Sequence, residues 1–156
     1  MDRLRELFGG LGYTNVATFI ASGNVIFDAP SRDTGRLAAT IEAHLESSLG
    51  FDVPTMVRTP AQIAESIAAA REEDGHALHV VFLERTPTPA EAARIAALCN
   101  EVDRFEVGDQ QLRWWCRGGM GESTVTSTRL ERAAGMRGTA RSVVSLRKLM
   151  ESIGTA

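Results

Sequence analysis

Residues 16–27 read VATFIASGNVIF, and they constrain the fold more than any other stretch. Two apolar runs, 16–20 and 25–27, flank Ala21-Ser22-Gly23-Asn24. Gly and Asn accept positive φ at little cost, so a short loop of this kind between β-branched and aromatic runs specifies a β-hairpin. The remainder of the chain reads as further strands and helices packed against such a sheet.

Before the hairpin, Leu4, Leu7, Phe8 and Leu11 share one helical face, and Gly9, Gly10 and Gly12 end that helix. After it, a helix is expected over residues 33–48, with Leu37, Ile41 and Leu45 at i+4 spacing and Gly50 as its stop. Residues 53–58 are expected to form a strand with Pro54 near its start. Thr59-Pro60-Ala61-Gln62 and Thr88-Pro89-Ala90-Glu91 are two helix starts of one design, with a hydroxyl N-cap, Pro at N1 and an acceptor side chain at N3. Between them lie the acidic stretch 71–75, a candidate linker, and LHVVFL at 78–83, a continuous apolar run expected as a central strand. The second of these helices places Ala92, Ile95, Ala96 and Cys99 on one face, so Cys99 is expected in the core. Two strands at 104–107 and 111–116 follow, joined at 108–110. A glycine-rich segment at 118–121 leads to a helix over 124–134. A short extended piece at 139–141 and a last helix carrying Leu146, Leu149, Met150 and Ile153 close the chain.

This order predicts an α+β protein of two ferredoxin-like (split βαβ) halves, residues 1–75 and 76–156, with antiparallel or mixed sheets and a C-terminal helix. One compact unit is the alternative division. The first half lacks its first strand. That strand sits centrally in such a sheet, and its loss exposes two edges and removes buried side chains at about 1.5–3 kcal/mol each. Either the sheet closes again, or another chain supplies the strand, or Met1 is internal to a longer reading frame; the last is the expectation.

The net charge of −3 conceals an asymmetry. Residues 1–112 hold 9 basic and 17 acidic side chains, whereas 113–148 hold 8 basic and 2 acidic, nearly all the cations being Arg. Such a split suits an anionic ligand or mutual attraction of the halves. No apolar run reaches the roughly 20 residues of a membrane span and no signal peptide opens the chain, which predicts a cytoplasmic protein with no membrane partner. Cys99 and Cys116 have no metal-ligand spacing, and His44, His76 and His79 have none either, so neither a metal nor a cofactor is expected.

The run Leu11-Gly12-Tyr13-Thr14-Asn15-Val16 leading into FIASGNVIF resembles the signature of DUF1697, a bacterial family of unknown function. Gly50-Phe51-Asp52-Val53-Pro54, Val57-Arg58-Thr59 and LHVVFL support the resemblance, as do Gly-Met-Gly-Glu-Ser at 119–123, Leu130-Glu131-Arg132 and Thr139-Ala140-Arg141. It extends over essentially the whole chain. It implies an α+β fold of two ferredoxin-like halves beginning with a strand and loop that this chain lacks, and it implies no activity. Thr124 stands where the family usually has Lys, and Ser142-Val143-Val144-Ser145 where it has Asn-Trp-Asn-Thr.

Candidate ligand contacts are Ser22, Gly23 and Asn24 at the hairpin, Arg58 and Arg141 at strand ends, and Gly121 with Ser123 at a helix start that can hold an anion. Each has a plain alternative: a turn, a salt bridge, an N-cap. No catalytic set is visible; His79 has no matching nucleophile. The reading is a module for a small anionic ligand. The alternatives are a nucleic-acid-binding domain using Arg113-Trp114-Trp115-Cys116-Arg117, with Trp114 in the core and Trp115 partly exposed, and an enzyme that depends on an absent N-terminal segment.

Overall fold

The computed structural model describes residues 2–19 and 23–154. Along them run α1 (Asp2–Gly10), β1 (Thr14–Phe19), β2 (Asn24–Asp28), α2 (Thr34–Leu49), α3 (Pro60–Ala69), β3 (His76–Leu83), α4 (Pro89–Ala96), β4 (Asp103–Gly108), β5 (Gln111–Arg117), a 3₁₀ turn (Met120–Glu122), α5 (Ser127–Ala134), β6 (Gly138–Ser142) and α6 (Val143–Gly154). This is a mixed α+β protein with two antiparallel sheets among the described residues. The chain divides into two compact units, one running to Thr59 and taking in residues from Glu151 onward, the other Pro60–Met150.

In the first unit β1 and β2 form the expected hairpin, and Leu7, Phe8, Ile41 and Leu45 make the buried core beneath it. Phe8, Tyr13 and Phe27 meet edge-on or stacked, with Phe8–Phe27 centroids 5.2 Å apart and Tyr13–Phe27 4.9 Å. Helix α2 stops at Gly50 as expected, and Asp33, read as its first residue, is its N-cap. Asp33 caps its first turn by accepting from the Arg36 N–H (3.0 Å), and Gly50, at φ 82°, returns its own N–H to the Glu46 carbonyl. The expected strand at 53–58 is not one. Pro54 offers no N–H, and Thr55 donates its backbone N–H to the Glu42 carboxylate at 2.8 Å, so the donors a ladder needs are absent or already engaged. Val53 and Val57 still pack on the core.

The second unit carries a four-stranded sheet in the order β4-β5-β3-β6, with every neighbouring pair antiparallel. Its connections are β3-α4-β4, a tight β4-β5 hairpin, and β5-α5-β6. Alternation along β3 splits the residues between two faces. Val81 and Leu83 join Leu112, Trp114 and Phe105 under Ile95 of α4 and Leu130 of α5. Leu78, Val80 and Phe82 are buried on the other face with Trp115. There the indole N–H of Trp115 donates to the Arg71 carbonyl (2.7 Å), and the Ser66 hydroxyl of α3 donates to Gln111 (2.5 Å). Residues 71–75, read as a linker, are thereby bound to this sheet. Glu72 pairs with Arg147, and Glu73 with Arg104.

Three further expectations are corrected. The helix expected from 124 begins at Ser127, because the hydroxyl that caps it belongs to Thr126, which accepts from the Arg129 N–H at 3.1 Å. Helix α4 ends at Ala96, so Cys99 lies beyond it and is exposed. Trp115 is 3% exposed rather than partly exposed, with the Arg104 guanidinium 4.2 Å from its ring centroid.

Candidate functional site

Thr88 opens α4 with a complete capping box. Its hydroxyl accepts from the Glu91 N–H (3.2 Å), and the Glu91 carboxylate accepts from the Thr88 N–H (2.8 Å). That carboxylate also takes both arms of the Arg85 guanidinium, at 2.6 and 2.8 Å. The bidentate pair with Arg85, and then the Thr88 N–H, hold Glu91 at a pKa of about 2 and push that of Arg85 up. Glu91 is covered in turn by the turn that ends α5. At Gly135, with φ 68°, a Cβ would lie 2.6 Å from Glu91 Oε2, so glycine is required there by conformation and by space.

These residues frame an open cleft of about 680 Å³, lined by Glu84, Arg85, Thr128, Glu131, Arg132, Gly135, Met136 and Arg137. Arg137 is held by Glu84, which accepts from its Nε at 2.7 Å and from its backbone N–H at 3.0 Å. Arg132, exposed in the last turn of α5, has no hydrogen-bond or ion-pair partner among the described residues. Two arginines are thus fixed by carboxylates while a third is free. The cleft sets three guanidiniums beside the carboxylates of Glu84 and Glu131, and of the three Arg132 has its donors uncommitted.

A second polar cluster lies at the far end of the same sheet face. Asp103, fully buried on β4, accepts from Ser123 Oγ (2.6 Å), Trp114 Nε1 (2.8 Å), Asn100 Nδ2 (3.2 Å) and the Thr124 N–H (3.3 Å). Burial raises its pKa, but these four donors outweigh burial and leave it lowered. The glycine-rich segment read as an anion site is therefore tied down by a carboxylate of the chain itself.

The sequence candidates are dispersed. Ser22 lies outside the described residues. Gly23 takes φ 81° in the hairpin turn, and Asn24 begins β2 opposite Phe19. The guanidinium of Arg58 donates to the Val57 carbonyl at 3.0 Å. Gly121 is exposed in the 3₁₀ turn, and Ser123 serves Asp103 rather than capping a helix. Arg141, opposite Val80 on β6, donates to Thr139 Oγ1 (2.6 Å), and burial pushes its pKa down. Arg141 and Ser123 stand on opposite faces of the sheet, so no single site unites them. Neither tryptophan of 113–117 offers a free ring for base stacking, since both are buried. His79 faces Trp114 with a buried Nδ1 that has no partner among the described residues, and burial pushes its pKa down. Among the described residues no group of His, Cys, Asp and Glu could hold a metal ion, and no helix is long and apolar enough to cross a membrane.

The family model described as a protein of unknown function, DUF1697, matches residues 1–112. The chain belongs to the DUF1697 family. The match covers the hairpin, the 50–59 segment and LHVVFL, whereas the resemblance read at 119–123, 130–132 and 139–141 lies beyond it. This DUF1697 protein is also similar to a formate-dependent phosphoribosylglycinamide formyltransferase of Synechococcus sp. (strain RCC307), at 31% identity over 86 residues. That likeness covers 49% of this chain and 22% of the relative, so the chain spans about a fifth of that protein's length. No solved structure matches the DUF1697 chain.

Arg85, Arg132 and Arg137, which line this cleft, are not among the ligand contacts that the sequence singles out. The Thr88–Glu91 capping box is legible in the sequence, but the second partner of its carboxylate is set by the turn after β3, which has no local signature.

Proposed function

We propose that this DUF1697 protein is a binding module for a small anionic ligand, and that the ligand's carboxylate or phosphate oxygens are taken up in the cleft between the β3–α4 turn and the end of α5. The observation that carries this reading is the unpartnered Arg132 beside Arg85 and Arg137, each of those two already oriented by its own carboxylate. We read the scaffold as ferredoxin-like. The order β4-β5-β3-β6, with a helix after β3 and another after β5, supports a split βαβ unit in the second unit. The cytoplasm is the compartment this reading assigns.

Isothermal titration with inorganic phosphate, pyrophosphate and citrate tests it. Binding should weaken as salt rises. Arg132→Ala should weaken it about tenfold or more, the worth of a charge-assisted hydrogen bond at about 1.5–3 kcal/mol. Absence of binding by all three anions, or binding indifferent to Arg132→Ala, would overturn the assignment.

A further inference from the structure

The cleft of Arg85, Arg132 and Arg137 lies wholly within the second unit, and its charges do not add up to a simple cation site. Arg85 commits two of its donors to Glu91, and Arg137 is held by Glu84. What these pairs leave open is gathered on one face of α5. Thr128, Glu131 and Arg132 stand at i, i+3 and i+4, and all three line the cleft. None of these side chains has a hydrogen-bond or ion-pair partner among the described residues. Glu131 and Arg132 do not neutralise each other, because side chains at i and i+1 point about 100° apart around a helix. A phosphate or a simple dicarboxylate set on Arg132 would lie beside the Glu131 carboxylate, and like charges repel. An anion that also carries an ammonium group turns that repulsion into attraction.

We propose that the ligand of this cleft is an α-amino acid with a second acid group, an inference that rests on the reading of the cleft as an anion site. The α-carboxylate lies on the guanidinium of Arg132, and the ammonium donates to the Glu131 carboxylate and the Thr128 hydroxyl. The second acid, a carboxylate or a phosphate ester, accepts from the N–H groups that Arg85 has left after Glu91. The aliphatic stem between them runs along Met136, which is half-buried against the core. Two acids and one ammonium thus meet two guanidiniums and one carboxylate, and a ligand without the ammonium leaves Glu131 opposed to its own charge.

Isothermal titration of the full chain compares L-glutamate with glutarate, which has both carboxylates and no amine. O-Phospho-L-serine stands for the phosphate ester, and the tighter of the two amino acids identifies the second acid. That amino acid should bind about tenfold or more tightly than glutarate, as a charge-assisted hydrogen bond to the ammonium requires. Attraction by net charge alone favours glutarate over L-glutamate, because glutarate is the more negative. Glu131→Gln should abolish the preference for the amine and leave glutarate bound as well or better. Arg132→Ala should weaken every one of these acids. The comparison of ligands on the wild-type chain needs no variant to fold. If glutarate, phosphate, pyrophosphate or citrate binds and neither amino acid binds more tightly than glutarate, the anion site stands and this inference is overturned. If no acid binds, the anion site falls and this inference with it. A preference for the amine that survives Glu131→Gln also overturns the proposal.

Discussion

Replacing Asp103 by Asn removes a charge and almost no volume, so its effect isolates the hydrogen-bonding role of a buried carboxylate. The wild-type oxygens receive four donors. Trp114 Nε1 and Ser123 Oγ point to Oδ1, and Asn100 Nδ2 points to Oδ2, where the Thr124 N–H also arrives. An amide offers one oxygen. If it takes the Oδ1 place, its NH₂ faces two donors. Asn100 cannot turn to help, because its own Oδ1 already accepts from the N–H groups of Val102 (2.8 Å) and Asp103 (2.9 Å). Two donors lose their acceptor at about 1–3 kcal/mol each, so the variant should be less stable by about 2–6 kcal/mol. Urea unfolding followed by tryptophan fluorescence measures this directly, since Trp114 and Trp115 both lie in the second unit. The midpoint should fall with little change in slope. Ser123→Ala, which leaves the carboxylate three donors and takes the acceptor from one, the Val125 N–H (3.1 Å), should cost about half as much. If Asp103→Asn matched the wild type within about 0.5 kcal/mol, well below the cost of one orphaned donor, the cluster would not be what fastens the glycine-rich segment.

Acid should weaken the fold in two places. The folded carboxyls of Asp103 and Glu91 both titrate below their unfolded values, so the folded state binds fewer protons and stability is lost as pH falls. For Glu91 the loss should run from about pH 4.5 down towards its folded pKa of about 2, and Arg85→Gln should remove most of it, as read by thermal denaturation across pH. Gly135→Ala should cost more than Gly50→Ala. Both force alanine into the left-handed region at about 1–2 kcal/mol, but only the methyl group added at position 135 would also strike the Glu91 carboxylate; equal losses in urea unfolding would contradict that contact. Leu112→Ala, at a fully buried position beneath α4 and α5, should cost about 2–5 kcal/mol by the same assay.

Local signals in this chain are legible where the physics is local. The hairpin at 16–27, the Asp33 and Gly50 ends of α2, the Thr88 capping box and the strand of LHVVFL each rest on backbone preferences or side chains within a few residues, and those elements form. The strand expected at 53–58 fails because β structure needs a neighbour. The Thr55 N–H goes to Glu42 instead, which no property of residues 53–58 announces. Ser123 has the sequence setting of an N-cap because Ser at the start of a helical pattern usually is one. A carboxylate on β4, 20 residues away in sequence, claims its hydroxyl, and Thr126 takes the cap. Trp115 reads as half-exposed because alternation assigns it to the face opposite Trp114, and only the packing of α3 and the 71–75 segment buries that second face.

The amino-acid sequence by itself determined most of the element types, some of the helix ends and the family, because capping, turn chemistry and apolar period act over a handful of residues. Only the tertiary structure decided which polar groups meet. The close approach of Gly135 to Glu91, and the placing of Arg132 and Arg137 in one cleft with Arg85, depend on two helices and a turn that are distant in the chain. Their meeting follows from how α4 and α5 settle on one sheet face, and side-chain packing between distant segments leaves no periodic trace in the sequence.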